Sequence, residues 1–287
     1  MAEIKPTAQS AAKHVSSAKP KRSSNAISWV APILAIAIGF ILWRFVLGNP
    51  DNFNKPDLNG GFMPLHEDPK SGLARMYQGG FIVPILIGLF LIVVTFSIER
   101  LLTITKATGK GNIGEFVRNI QYNLANKDVD KAIGLCDKQK GSVGNVMKQG
   151  LLKYKEMITN TELDTEQKVA NIQKEVEEAT ALELPMLEKN LVFLSTISSV
   201  ATLLGLLGTV IGMIRAFAAL ASSEGGNAST QLSQGISEAL YNTALGIGTS
   251  AIAVIMYNIL TTRIDGITYG IDESGFTLTQ SFVSNYK

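Results

Sequence analysis

The chain has 287 residues, of which 46% are hydrophobic and only 17% are charged, and its formal net charge is +2. This composition indicates a membrane protein, because the charged residues are crowded between long apolar stretches. The small net charge, without a basic patch with interleaved aromatic residues, excludes nucleic acid as the expected partner. The single cysteine, Cys136, excludes an internal disulfide, and we expect it to be a small packing residue.

Four apolar stretches predict four membrane-spanning helices. They cover residues 27–47, 80–102, 191–221 and 236–262. Each reaches the roughly 20 residues that cross the hydrocarbon core of a bilayer as a helix. The sequence therefore predicts an all-α integral membrane protein with four transmembrane helices. The first stretch follows Lys21 and Arg22, so a cleaved secretory signal is the alternative to a retained accessory helix.

Lysine and arginine residues predict the orientation of these helices. Basic residues precede the first stretch and follow the second and fourth, whereas the link after the third has none. Both termini are therefore expected in the cytoplasm. The remaining segments are a disordered tail (1–26), a periplasmic loop (48–79), a cytoplasmic domain (103–190), a short periplasmic loop (222–235) and a cytoplasmic tail (263–287).

The cytoplasmic segment 103–190 reads as helical throughout. Asp128 is expected to cap one of its helices, and Thr161 with Asp164 resembles the start of another. From there the helical pattern is unbroken except by Pro185, which we expect to kink the helix rather than end it. One long helix is therefore predicted to continue from this domain into the third span.

No pattern in the sequence indicates an enzyme, a cofactor or a metal. Gly109, Gly111 and Gly114 fit a dinucleotide-binding spacing, but they follow a membrane helix and lack the strand that such a site requires. His14 and His66 are isolated and are expected to be exposed loop residues. No arrangement of nucleophile, base and oxyanion donor is visible.

Small and hydroxylated residues recur every three or four positions along the last two apolar stretches. In the third stretch they are Ser195, Ser198, Thr202, Gly205, Thr209, Gly212 and Ala216, and in the fourth Ala239, Thr243, Gly246, Ser250 and Ala253. This spacing places each set on one helix face. Such a face indicates close helix packing or a hydrated lining. The two interpretations are compatible if the chain packs around a central partner.

Few ionisable residues lie in the apolar stretches. Arg44 and the pair Glu99–Arg100 lie near the ends of spans, where long charged side chains reach the membrane interface. Arg215 and Glu238 are predicted to lie at similar depth in an antiparallel hairpin. We expect them to pair with each other or with charges on another subunit.

These residues give the chain a family resemblance. Residues 205–212 (GLLGTVIG), residues 235–248 (GISEALYNTALGIG) and Tyr257-Asn258 resemble the last two membrane helices of the ExbB/TolQ proton-channel family, and IERL at 98–101 fits as well. The resemblance covers about residues 80–263. Two features depart from the family pattern: the additional stretch 27–47, and Arg215, where many members have an uncharged polar residue.

The resemblance implies an inner-membrane motor subunit of bacteria, forming a pentamer around ExbD/TolR-type single-span helices. Proton flow would then drive a TonB- or TolA-like protein that transmits force to the outer membrane. By the same resemblance, Thr209 and Thr243 match lumen-facing hydroxyls and Glu238 matches an acidic residue at the start of the last helix. Thr202 and Ser250 are added as lining candidates by their place in the stripes. Gly205, Gly208, Gly212 and Gly246 are the candidates for helix packing.

Several alternatives remain open from the sequence. A hydroxyl does not titrate usefully, so the chain is expected to need a partner carboxylate, supplied by an Asp, as the proton carrier. The rival functions are a non-conducting membrane scaffold, a solute carrier, and a flagellar or gliding-type stator subunit. The sequence does not distinguish H⁺ from Na⁺, or nutrient uptake from envelope integrity or motility.

Overall fold

The computed structural model describes residues 25–57, 61, 64, 66–222 and 228–286. Residues 1–24 of the expected disordered tail, including His14, lie outside the described residues. Asn25 and Ala26 of that segment already belong to the first helix.

Helices make up nearly all of the described chain. Their bounds are α1 Asn25–Ile41, α2 Gly72–Gln78, α3 Ile82–Ala107, α4 Ile113–Ala125, α5 Val129–Gln139, α6 Gly141–Thr159, α7 Thr165–Glu188, α8 Leu191–Ser222 and α9 Ala228–Asn285. A π-helical stretch, Leu42–Leu47, extends α1. After it come the short 3-10 helix Pro50–Asn52 and the strands β1 Phe53–Lys55 and β2 Glu67–Pro69. The strands pair antiparallel, with Phe53 opposite Pro69.

Four helical stretches of the described chain are long and apolar enough to cross a membrane. They are Val30–Leu47, Ile82–Ala107, Thr165–Ala221 and Gln231–Asn285. This confirms the predicted all-α membrane protein with four spans. We call the end of the spans that joins α4–α7 the domain end, and the end that carries α2 and the α8–α9 link the loop end.

The accessory helix α1 packs on α3 through a close backbone approach. A Cβ atom on Gly88 would lie 2.8 Å from the Cα of Ile36, and one on Gly39 would lie 2.5 Å from the carbonyl oxygen of Pro84. Small residues allow helices in a membrane to approach in this way. Apolar side chains of α1 that face away from α3, such as Ile33 and Leu34, are exposed and suit contact with lipid.

An aromatic cluster covers the loop end of α1. Trp43 stacks on Tyr77 with ring centroids 4.6 Å apart, and His66 stacks on Phe53 at 4.6 Å. The prediction that His66 is an exposed loop residue is wrong, since only 4% of it is exposed. Its Nδ1 accepts a hydrogen bond from the Asp57 amide at 3.0 Å, and its Nε2 lies 3.2 Å from the Gly48 carbonyl oxygen. Ring stacking and these two bonds satisfy the buried imidazole.

The helical domain is formed by α4–α7 together with the second half of α9. We predicted that residues 263–287 form a tail after the fourth span, but α9 continues without interruption to Asn285. Its buried residues in this part belong to the domain core; they include Ile264, Ile267, Ile271, Leu278 and Phe282. Phe282 packs edge-on against Tyr154 with ring centroids 5.0 Å apart. The helix therefore serves both the membrane part and the domain.

Cys136 lies in the same core, which confirms the prediction of a packing residue. It is 3% exposed, and its Sγ donates to the Ala132 carbonyl at 3.5 Å. Burial raises the pKa of the Cys136 thiol to about 12. The thiol is therefore neutral at physiological pH.

The long helix predicted from Thr161 into the third span is interrupted once. It starts at Thr165, where Asp164 and Gln167 form a capping box, and Pro185 lies inside α7 as expected. The interruption comes after Pro185: α7 ends at Glu188, α8 begins at Leu191, and Asn190 between them has a φ of 66°. Asparagine tolerates this left-handed conformation better than most residues. The helices α7 and α8 are therefore separated by two residues at the domain end of the third span.

The dependence of the domain on α9 gives a first prediction. Phe282→Ala removes a fully buried ring and should lower the free energy of unfolding by about 3–5 kcal/mol. Phe276→Ala, six residues earlier on the same helix, removes a ring that is 68% exposed and should change it by less than about 0.5 kcal/mol. Thermal unfolding of both variants in the same detergent measures the difference. Equal destabilisation would contradict the placement of Phe282 in the core.

Candidate functional site

The helices α8 and α9 form a hairpin, and glycines lie where the two backbones meet. A Cβ atom on Gly205 would lie 3.1 Å from the Cα of Gly246, and one on Gly246 would lie 2.5 Å from the Ala201 carbonyl oxygen. Gly212 faces Ala239 with a corresponding distance of 2.7 Å to its Cβ, and Gly208 packs against Asn242. All four predicted packing glycines therefore lie at the α8–α9 contact.

Two of the predicted lining hydroxyls connect the helices of the hairpin. Thr243 Oγ1 on α9 donates to the Gly205 carbonyl on α8 at 3.0 Å, and Ser250 Oγ donates to the Ser198 carbonyl at 2.5 Å. A carbonyl inside a helix already accepts one backbone bond and has a second lone pair for such a donor. These two hydroxyls therefore help to hold α8 and α9 together, and this role is compatible with a lining role.

The other two predicted lining hydroxyls bond only within their own helix. Thr209 Oγ1 donates to the Leu206 carbonyl at 2.5 Å, and Thr202 Oγ1 donates to the Ser198 carbonyl at 3.2 Å. Thr202 is exposed and Thr209 is partly exposed. Neither hydroxyl bonds to α9 in the described structure. Their role in lining an ion pathway stays a prediction.

Arg215 and Glu238 lie on neighbouring helices near the loop end. The Arg215 guanidinium interacts electrostatically with the Glu238 carboxylate. Among the described salt bridges none joins these two side chains at an N–O distance of 4.0 Å or less. Instead, Nη1 of Arg215 packs over Gly80, where an added Cβ atom would lie 2.9 Å from it. Arg215 therefore contacts the turn that leads into α3.

Asn242, which the sequence analysis did not single out, contacts the same turn. It is 3% exposed, and its Nδ2 donates to the Gly79 carbonyl at 3.0 Å. Its Oδ1 is buried without a hydrogen-bond partner. A buried amide in a membrane helix is costly unless it bonds, so its presence was the available signal. Asn242 ties α9 to the loop end of α3.

At the domain end, Arg100 ties α3 to the interruption between α7 and α8. Arg100 lies near the end of its span, as expected, but its side chain is buried in the protein, with 4% of it exposed. Its Nε donates to Glu99 Oε2 at 2.6 Å, Nη2 contacts the other Glu99 oxygen, and Nη1 donates to the Met186 carbonyl at 3.0 Å. Asn190 Nδ2 also donates to Glu99 Oε2, at 3.3 Å. The cation thus binds a carbonyl in the last turn of α7, where the helix dipole favours it.

The middle of the hairpin has no group that titrates. Residues 191–214 and 242–256 contain no Asp, Glu, His, Lys, Arg, Cys or Tyr. Among the described residues, no cluster of three or more His, Cys, Asp or Glu side chains has a geometry suited to a metal ion. The hairpin therefore offers hydroxyls and carbonyls, which orient protons and water, but no group that carries a proton.

Comparison with known proteins extends the sequence resemblance. Residues 138–273 match the sequence profile of the MotA/TolQ/ExbB proton channel family. The chain is similar to the Tol-Pal system protein TolQ of Haemophilus influenzae, with 42% identity over 96 residues, or 32% of this chain and 41% of the relative. TolQ of Pseudomonas aeruginosa is 30% identical over 121 residues, covering 42% of this chain and 52% of the relative.

A third relative is the biopolymer transport protein ExbB of Salmonella typhimurium. It is 36% identical over 72 residues, which cover 25% of this chain and 29% of the relative. The matched stretch of this chain thus spans about half or less of each relative's own length.

The α8–α9 contact gives a prediction with a control on the same helix. Gly246→Ala places a methyl group against Ala201 and Gly205, and should destabilise the hairpin by about 1–3 kcal/mol through overpacking. A Cβ atom on Gly248, two residues further along α9, would meet nothing within 4 Å. Gly248→Ala should therefore be neutral or stabilising. Thermal unfolding in detergent compares them, and equal effects would contradict the close contact.

Arg100 gives a second prediction for this site. Arg100→Gln leaves Glu99 with only the Asn190 amide as a described hydrogen-bond partner and removes the cation from the Met186 carbonyl, and should lower the free energy of unfolding by about 2 kcal/mol or more. Arg118→Gln is the control, because Arg118 is exposed and its Nε donates only to Gly114 in its own helix, at 3.3 Å. Thermal unfolding is again the measurement. If Arg118→Gln were as damaging as Arg100→Gln, the described contacts of Arg100 would not be what stabilises this junction.

Proposed function

Because residues 138–273 match the MotA/TolQ/ExbB proton channel family and the chain is similar to TolQ and ExbB proteins, we propose that it is the ExbB/TolQ-like subunit of a motor in a bacterial inner membrane. The motor couples the proton motive force to a TonB- or TolA-type protein that transmits force to the outer membrane. The observation that carries this proposal is the α8–α9 hairpin. It presents hydroxyls on an accessible face and holds no titratable group in its middle.

We propose that a partner protein supplies the group that carries the proton, because the middle of the hairpin has none. Moving a proton across a bilayer requires a group that gains and loses it near the midplane. Residues 191–214 and 242–256 supply none, so a carboxylate must come from another chain. An ExbD/TolR-like protein with one membrane helix bearing an Asp fits this requirement. Thr209 and Thr202 would then orient water or donate hydrogen bonds to the charged form of that Asp, which lowers its pKa.

Other copies of this chain complete the proposed assembly. Large apolar side chains on both helices of the hairpin are exposed; they include Leu203, Leu206, Ile214, Leu240 and Ile255. In a membrane such side chains contact lipid or neighbouring subunits. By the family resemblance we propose a homopentamer that encloses the partner helices.

The function is tested most cleanly at Thr209. Its hydroxyl bonds only to its own helix, whereas that of Thr243 also connects α9 to α8, so Thr209→Val removes the lining group without a cross-helix bond. Proton flux through proteoliposomes containing the complex with an ExbD-like partner should fall about tenfold or more. This follows because a hydrogen bond to a charged group is worth about 1.5–3 kcal/mol. Thr243→Val should lower both the flux and the stability of the hairpin.

A matched control is Thr262→Val on the domain half of α9. Thr262 is also exposed and also donates to its own helix, to Asn258 at 2.9 Å, but it lies far from Thr209. Its flux should equal that of the unchanged protein. Full flux in both Thr209→Val and Thr243→Val would instead support a non-conducting scaffold. Robust proton flux from this chain alone would contradict the assignment of the carrier to a partner.

A further inference from the structure

We propose that the domain end carries a docking surface for the headgroups of anionic phospholipids. Its residues are Lys106, Lys110, Lys138 and Lys140, which we call the basic surface. The inference depends on α3 crossing a membrane and is independent of whether the chain takes part in proton transport.

Two loops hold the basic surface directly at the end of α3. The Lys110 amide donates to the Gln139 carbonyl at 2.7 Å, which joins the loop after α3 to the turn between α5 and α6. Gly109 and Gly141 have φ angles of 80° and 74°. A Cβ atom on Gly141 would lie 2.7 Å from the Gly109 nitrogen, so both loops pack backbone to backbone. The four lysines are therefore brought together at one end of a membrane-spanning helix.

The position of this surface matches the headgroup layer. Lys106 follows the predicted apolar span, which ends at residue 102, by one helical turn, or about 6 Å. The polar layer of a bilayer extends about 5–7 Å beyond the hydrocarbon core on each side. Lys110 lies in the loop that begins after α3, which ends at Ala107. Lys138 lies in the last turn of α5 and Lys140 directly after it, and the bond between Lys110 and Gln139 holds this turn beside the loop. Flexible lysine side chains reach phosphates from there.

The four lysines of the basic surface have no carboxylate at salt-bridge distance among the described residues, although Glu115 lines the same cavity as Lys110 and Lys138. All four lysines are exposed. Five other lysines of the helical domain form salt bridges. Lys131, Lys148, Lys153, Lys155 and Lys174 each have a carboxylate oxygen at 2.5–3.7 Å. The basic surface thus groups four lysines without a described salt bridge at the domain end of α3.

A cavity of about 200 Å³ lies between the basic surface and the start of α4. It is lined by Lys110 and Lys138, by Asn112, which caps α4, and by Glu115. The lysines and the positive end of the helix dipole favour a phosphodiester. Glu115 accepts hydrogen bonds and suits a headgroup that also carries hydroxyls. Phosphatidylglycerol has both features, and so is the lipid we commit to.

The test compares lipid binding by the full chain and two variants with the same charge removed. The first variant, Lys106→Gln/Lys110→Gln/Lys138→Gln/Lys140→Gln, neutralises the basic surface. The control, Lys131→Gln/Lys153→Gln/Lys155→Gln/Lys174→Gln, neutralises four lysines that are paired. Native mass spectrometry of the purified protein measures the affinity for dioleoyl phosphatidylglycerol relative to dioleoyl phosphatidylcholine. Each lysine near an anionic surface contributes about fivefold, so the first variant should lose at least about tenfold of this preference and the control should keep it.

Three outcomes would overturn the proposal. They are an unchanged preference in the first variant, an equal loss in both variants, and displacement of the lipid by inorganic phosphate at the same concentration. The last would show that the cavity binds a free anion rather than a lipid. If the fourfold variant does not fold, Lys110→Gln/Lys138→Gln should lose part of the preference, and Lys110→Arg/Lys138→Arg should retain it. Loss of proton flux with an unchanged lipid preference would concern only the proposed function.

Discussion

The contact between Gly205 and Gly246 sets the distance between α8 and α9, and most other features of the membrane part follow from that distance. At this separation Thr243 and Ser250 reach carbonyls of the opposite helix. Asn242, on the same helix as both, is then placed to bond Gly79. A larger side chain at either glycine would move α9 away from all three partners at once. The small residues at the contact are thus required for the close approach of α8 and α9, whether or not the stripe also lines an ion pathway.

The helix α3 contacts the hairpin and its extension at both ends through polar side chains. At the loop end Asn242 bonds the turn before α3, and at the domain end Arg100 bonds Met186 beside the start of α8. Both polar side chains are buried, so each bond replaces water that the side chain has lost. Between these ends the packing is mostly apolar and non-directional. Two directional contacts therefore fix the register of α3 against the hairpin, which leaves the opposite face of α8 and α9 available to other chains.

The sequence predicted those features that depend on periodicity and local chemistry. The four spans follow from apolar length, the packing glycines from their spacing, and the cap at Asp128 from its side chain, which accepts from the Lys131 amide. It did not predict features that depend on distant neighbours. His66 and Arg100 look like surface residues until Phe53 and Met186 are placed beside them.

The interruption after Glu188 and the full length of α9 were missed for related reasons. Asn190 adopts a left-handed backbone conformation, which the surrounding sequence does not predict. The apolar pattern ends near residue 262, but α9 continues to Asn285. Beyond the span its residues pack on the domain, as Gly270 does against Ile113. The candidate ion pathway is incomplete in any single chain, because the residues that would face Thr209 belong to other molecules.

The length of α9 also constrains the order in which the protein folds. Tyr154 and Phe282 share one core, yet α7, α8 and most of α9 separate them along the chain. While the ribosome is still producing α8, the helical domain lacks an entire side of its core. Closure must wait until the chain has crossed the bilayer twice more and its final turns have returned to the starting side. During that interval the apolar faces of α4 and α6 are bare, so a chaperone that covers them would act on a domain whose last helix has not yet been made.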